Sequence, residues 1–199
     1  MKKSLFSLTV LFTLSITPLA HAAPQTAVFA GGCFWGVDAV FKHVKGVTEV
    51  VSGYAGGKAA TARYNLVSNG DTGHAEAVKI SFDDARISYA QLLQVFFSVA
   101  HNPTELNRQG NDVGTQYRSA IFYTSAAQQQ QAKNSIDSLG KAKVFSAPIV
   151  TQVLPLKQFF PAEDYHQNYL ALHLSQPYIV HHDLPKLSAL QKTFPAFYQ

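Results

Sequence analysis

The chain is 199 residues long, 47% hydrophobic and 14% charged, with a formal net charge of +4. That length suits one domain with a sizeable core, and no stretch concentrates Lys or Arg, so nothing electrostatic points to nucleic acid or an anionic membrane as the main partner. The single cysteine, Cys33, rules out an internal disulfide and leaves either a free reactive thiol or an intermolecular link.

The first residues read as a secretory signal. Met1-Lys2-Lys3 is basic, Leu5 to Ile16 is mostly apolar, and Pro18 precedes the small-x-small pattern Ala20-His21-Ala22, so cleavage is expected after Ala22. The apolar run is short for a membrane span. The mature chain, 23–199, is expected to be one catalytic domain, exported to the periplasm or outside the cell and monomeric, with a tail from about 175. Its loss of Lys2 and Lys3, with no acidic residue, takes the charge from +4 to +2.

Beyond the signal, an apolar strand is expected at 26–30. A helix over 34–44 follows, with Val37, Val40, Phe41 and Val44 on one face. Strands follow at 47–53 and 75–82, separated by a loop with Gly56-Gly57. A helix over 88–100 has Ser88 as its N-cap. A long polar loop, His101 to Thr115, is expected to serve the site. A strand at Ser119–Tyr123 leads into a helix opened by Thr124-Ser125 and running to about Leu139, with Gln128 to Gln131 on a solvated face. A strand at Ile149–Leu154, a short helix near Glu163–Leu172 with Tyr165 and Tyr169 on one face, and an irregular C-terminal tail complete the chain. This order predicts an α+β fold, a ferredoxin-like two-layer α/β sandwich with long functional loops.

Cys33 lies in Gly31-Gly32-Cys33-Phe34-Trp35-Gly36, at a strand–turn–helix junction. Unpaired N–H groups at a helix start favour an anion, so a lowered thiol pKa is expected there. Phe34 and Trp35 offer aromatic walls. The plainer alternative is a buried cysteine packing as a small hydrophobe. Three further stretches look chemical. Asn69 to Glu76 brings His74 and Glu76 to a strand mouth. Gly110 to Ser119 offers Asp112, Tyr117 and Arg118, or else a loop satisfying its own backbone. Pro161 to Tyr169 ends in a helix rich in Tyr and His.

Five motifs in order carry a resemblance: Gly-Cys-Phe-Trp-Gly at 32–36, Gly-Tyr-Ala-Gly-Gly at 53–57, Gly-Asp-Thr-Gly-His-Ala-Glu at 70–76, Gly-Thr-Gln-Tyr-Arg-Ser at 114–119 and Ala-Glu-Asp-Tyr-His-Gln at 162–167. From Ala27 to Tyr169 the chain resembles the A-type peptide methionine sulfoxide reductases, which restore oxidised methionine. The resemblance implies that Cys33 attacks the sulfur of methionine S-sulfoxide, peptide-bound or free, and is left as a sulfenic acid. It makes Glu76 the general acid and gives Tyr64 and Tyr117 to the sulfoxide oxygen. Asp112 would hold the polar network, and Phe34 and Trp35 would enclose the methyl group. It implies no metal and no cofactor beyond an external thiol reductant, a thioredoxin-like protein or a small thiol.

Two departures stand out. Many relatives carry further cysteines that resolve the catalytic one; this chain has none, and Ser68 stands where relatives can have cysteine, so a one-cysteine cycle is expected. Asn102 and Asp38 stand where Asp and Glu are more usual. Competing readings are a secreted cysteine hydrolase using Cys33 with His74 or His166, and a methionine-binding module without turnover. His74-Ala75-Glu76 also matches a deaminase His-x-Glu, but the Pro-Cys-x-x-Cys half is missing. His181-His182 offers a weak metal site or a solvated tail.

Overall fold

The structure, a computed structural model, describes residues 25–199; the expected signal segment lies outside the described residues. Strand β1 (Gln25–Ala30) is buried from Ala27 onward, an apolar run with no polar face, as a central strand covered on both sides requires. It turns through Gly31-Gly32 into α1 (Phe34–Lys42), whose Val37, Val40 and Phe41 face the core. Then come β2 (Val47–Ala55), the four-residue α2 (Tyr64–Val67), β3 (Ala75–Phe82) and α3 (Tyr89–Val95). Ser88 caps α3 in a full capping box with Gln91, and the helix closes in a wider turn over Phe96–Ala100. The hairpin β4 (Arg108–Gln109) and β5 (Asp112–Val113), then β6 (Ala120–Tyr123), α4 (Ala126–Lys141), β7 (Gln152–Pro155), β8 (Phe159–Pro161), α5 (Tyr169–Leu172) and α6 (Leu184–Thr193) complete the order.

The main sheet runs β7-β6-β1-β3-β2-β8. Its inner four strands, β6-β1-β3-β2, are antiparallel and have the order of a ferredoxin-like sandwich. β7 joins β6 in parallel and β8 joins β2 antiparallel. One face carries Phe29, Val50, Val78 and Ile80 under α1, α3 and α4. The other is lined mainly by alanine (Ala30, Ala55, Ala75, Ala77, Ala120) and packs against Leu154, Leu156 and Phe159.

Three expectations change. The tail is not irregular: it forms a wide turn over Ile179–Asp183 and then α6. Pro185 is no obstacle, because in the first turn of a helix its missing N–H has no partner to lose. Fully buried Leu190, an N–H bond from Lys45 to the Phe197 carbonyl (2.7 Å) and one from Gln199 to the His43 carbonyl (3.0 Å) fasten the tail to α1 and the turn after it. Next, 163–172 is not one helix: Asn168 has a left-handed φ of 56°, separating a tight turn at Asp164–His166 from α5. Tyr165 and Tyr169 therefore do not share a helix face, and Tyr165 is exposed. Finally, Gln128 does not lie on a solvated face: it is buried, and its amide donates to the Thr26 carbonyl at 2.6 Å. The long loop after α3 is held together by Gln109, which bonds both the N–H and the carbonyl of Asn102. The Asn102 side chain accepts from the Thr104 N–H and hydroxyl, an Asx turn that Asp would make equally well.

Candidate active site

The β1–α1 turn sets Cys33 at the N-cap of α1. Gly32 has φ +88°, and a Cβ there would lie 2.6 Å from Gln109 Cβ, so only glycine has both the conformation and the room. The thiol is buried and is not activated in its resting state. Burial pushes its pKa well above the ordinary value, and the Glu76 and Asp183 carboxylates add to this; the Trp35 N–H and the Lys186 ammonium offset only part. The expected lowering fails because withdrawing an anion from water costs more than the partial charge of one helix end returns.

Glu76, in the second position of β3 opposite Tyr54, is 2% exposed and accepts a hydrogen bond from the Phe34 N–H at 3.0 Å. Burial pushes its carboxyl up to about 8, with the Phe34 N–H opposing and Asp112 adding to the rise. At neutral pH it carries its proton.

Tyr64 opens α2, and its N–H is held by Glu163 Oε1 at 2.9 Å, while Glu163 Oε2 accepts from the Tyr54 hydroxyl at 2.8 Å. Burial raises the Tyr64 phenol to about 12 and moves that of Tyr117 up as well, so both stay protonated donors. Tyr117 ends a tight turn, Thr115–Tyr117. Arg118 donates to the carbonyls of Gly73, His74 and Thr115 at 2.9, 3.0 and 2.8 Å, which ties that turn to the mouth of β3. The Trp35 ring lies flat on Tyr169, centroids 3.7 Å apart, and its Nε1–H donates to His166 Nδ1 at 3.1 Å. Asp112, in β5, accepts from the Tyr178 hydroxyl.

All seven predicted residues, Cys33, Phe34, Trp35, Tyr64, Glu76, Asp112 and Tyr117, line one cavity of about 200 Å³. The eighth lining residue, Tyr178, is one that sequence reasoning missed; only the aromatic character of the tail hinted at it. Asp183, at 0% exposure and paired with Lys186 at 3.2 Å, is also new. A Cβ on Gly36 would lie 2.1 Å from Asp183 Oδ1, so glycine at this position admits the carboxylate against the first turn of α1.

Neither histidine of the hydrolase reading lines the cavity. The His74 ring is spent on the Lys58 carbonyl (3.0 Å) and the Gly57 N–H (3.3 Å), and His166 accepts from Trp35. A roomier groove of about 800 Å³ runs between the end of α4 and 143–149, but neither cysteine nor histidine lines it. Among the described residues no group of three His, Cys, Asp or Glu could hold a metal ion.

A polar, proton-bearing cavity around one thiol, with aromatic walls, suits removal of oxygen from a sulfoxide. The sequence model of the peptide methionine sulfoxide reductases matches residues 25–197. The chain belongs to this family. It is 58% identical over 179 residues to peptide methionine sulfoxide reductase MsrA 2 of Mesorhizobium japonicum, covering 89% of this chain and 92% of that protein. Among solved structures it is similar to reduced Mxr1 of Saccharomyces cerevisiae, with TM-score 0.73, 31% identity and coverage of 82% and 92%. Methionine sulfoxide reductase A of Corynebacterium diphtheriae follows, with TM-score 0.69, 32% identity and coverage of 82% and 81%. Mxr1 has also been solved in complex with Trx2, a likeness of TM-score 0.53 at 23% identity covering 79% and 90%. As an A-type peptide methionine sulfoxide reductase the chain is an oxidoreductase that reduces methionine sulfoxide and repairs oxidised protein.

Proposed function

We propose that this reductase works through Cys33 alone, on the S epimer of methionine sulfoxide, both in peptides and as the free amino acid. The observation that carries the reading is the convergence of one thiol, one protonated carboxyl and two protonated phenols on a single small cavity. Tyr64 and Tyr117 donate to the sulfoxide oxygen while Phe34 and Trp35 hold the methyl group by apolar contact. Cys33 attacks the sulfur while Glu76 protonates the oxygen, and the thiol proton passes to the Glu76 carboxylate so formed, which restores the acid. The sulfur–oxygen bond and the new bond between the two sulfurs then break as the hydroxyl passes to Cys33, leaving a sulfenic acid and releasing methionine: the methionine sulfur is reduced by two electrons and the cysteine sulfur is oxidised by two. Glu76 in its neutral form also removes the charge that opposes the Cys33 thiolate, so one protonation state serves both groups. No step of this scheme calls on a metal or organic cofactor.

With no second cysteine in the chain, the sulfenic acid is returned to thiol by an outside thiol, first as a mixed disulfide and then by a second thiol, with release of water. The complex of Mxr1 with Trx2 supports a thioredoxin-like reductant; a small thiol is the alternative. Residues 1–22 act as a cleaved signal, residues 23–199 form one catalytic domain, and the enzyme works outside the cytoplasm as a monomer.

Mature protein mixed with each sulfoxide epimer of a methionine peptide, without reductant, tests this directly. One equivalent of methionine from the S epimer alone, with loss of the Cys33 thiol and no disulfide, is the expected result. No methionine from either epimer would overturn it in favour of a binding module.

A further inference from the structure

The Asp183–Lys186 pair stands beside the first turn of α1, behind the cavity rather than in its lining. Asp183 closes the wide turn over Ile179–Asp183, and Lys186 follows in the first turn of α6 with its Nζ 3.2 Å from Asp183 Oδ1. Asp183 is fully buried and the Lys186 side chain is 18% exposed. A Cβ on Gly36 would fall 2.6 Å from the Lys186 ammonium and closer still to the carboxylate, so both charges press against the turn that Cys33 begins. As a fastening the pair is poor. Asp183 Oδ2 has no hydrogen-bond partner among the described residues, and apolar residues commonly match or better the stability of a buried ion pair left partly unsatisfied. Its charges do, however, reach the one thiol of the chain: Asp183 opposes an anion at Cys33 and Lys186 favours one. The other titratable groups around Cys33 leave room for this. Glu76 of β3 carries its proton at neutral pH, the phenols of Tyr64, Tyr117 and Tyr178 stay protonated, and His101, packed on Gly31, is kept neutral by burial. Asp112 of β5 is bonded to the Tyr178 hydroxyl.

We propose that Asp183 and Lys186 are positioning residues for the reaction: the carboxylate fixes the ammonium and holds Cys33 as a thiol until substrate arrives, and the ammonium supports the negative charge that builds on the sulfur as it attacks. This rests on Cys33 being the nucleophile, as proposed above. Both residues act through space, by Coulomb energy in a poorly screened place, and not by touching substrate.

The experiment measures how fast iodoacetamide, an uncharged probe, alkylates Cys33 between pH 7 and 9 in the parent, Lys186→Met, Asp183→Asn, the double variant and Lys186→Arg. Cys33 is the only cysteine, so the rate reads its thiolate alone. Lys186→Met leaves the carboxylate uncompensated and should slow alkylation by at least about 3-fold, whereas Asp183→Asn should speed it by at least about 3-fold. The double variant should fall between them, and Lys186→Arg, which keeps the charge, should stay near the parent. Single-turnover rate on a methionine S-sulfoxide peptide should also fall in Lys186→Met while the half-saturating sulfoxide concentration holds, since neither residue lines the cavity. A purely structural role would move alkylation in the same direction in both single variants, or not at all; either result overturns the proposal and leaves Cys33 standing as the nucleophile. A parent that is alkylated but turns over no sulfoxide overturns the nucleophile itself, and the proposal with it. If Asp183→Asn does not fold, Lys186→Met against Lys186→Arg decides the matter.

Discussion

Cys33 and Glu76 share one problem, that neither can carry a charge cheaply in a buried cavity, and the protein resolves it by leaving a proton on each until substrate arrives. Cys33→Ser, which keeps the shape but lacks the nucleophilic sulfur, should abolish methionine formation in the single-turnover assay. Glu76→Gln should slow the same step by roughly 10²–10⁴-fold, the usual worth of a positioned proton donor; a rate within a few-fold of the parent would remove Glu76 from the chemistry. Because Glu76 carries its proton only below about 8, single-turnover rate should fall as pH rises through that value, and Glu76→Gln should lose that inflection. Cys33, Phe34, Trp35, Glu76 and Tyr117 were legible because each sits in a compact motif, and Tyr64 and Asp112 only through the resemblance those motifs carry. The direction of the Cys33 shift was not, since burial is set by segments far along the chain: the Asp183 carboxylate lies 150 positions away.

At the scale of elements, short connections position the site. The hydroxyl of Ser88 accepts from the Gln91 N–H at 3.3 Å, and Ser88→Ala should cost about 1 kcal/mol in denaturant unfolding with little effect on turnover. Gly36 and α6 are interlocked through Asp183 and Lys186. Gly36→Ala should destabilise by about 1–3 kcal/mol, because the new methyl must push a buried carboxylate aside, and it should weaken turnover as Tyr178 shifts with the tail. Strands and helices with clean periodicity were visible in the sequence, and so was the Ser88 cap. The three-residue β8 and four-residue α2 were not, because their pairing is imposed from outside. β8 lies along β2, with Gln167 bridging β2 and the residue after β8 through the Ser52 N–H and carbonyl and the Ala162 carbonyl, and Tyr64 is held by Glu163.

Across the whole molecule, buried carboxyls make folding depend on pH. Asp38 is pushed from 3.8 up to about 6 by burial, with Lys42 offsetting part, and Glu76 from 4.5 up to about 8. Both folded values lie above the unfolded ones, so the folded state binds these protons more tightly and their contribution to stability must fall as pH rises. The Asp38 contribution is fully present below about pH 4 and lost through about 6; that of Glu76 persists longer and is lost through about 8. Buried His101, whose pKa burial lowers to about 3, acts in the opposite sense up to about pH 6.5, where the unfolded state releases its proton. Melting temperature followed from pH 7 to 9 should therefore decline, and Glu76→Gln should flatten that decline. A parent more stable at pH 9 than at pH 7 would contradict the Glu76 assignment.

The family, the α+β order and seven of the eight residues lining the cavity follow from the sequence alone, because local spacing and short motifs carry them. Only the tertiary structure decided where the tail goes. Pro177 and Pro185 read locally as breaks, yet burial of Ile179 and Leu190 against α1 and its neighbours outweighs that local signal and folds the segment into a wall. Tyr178 and Asp183 enter the site for the same reason: contacts between distant segments, not the residues beside them, determine which side chains a cavity contains.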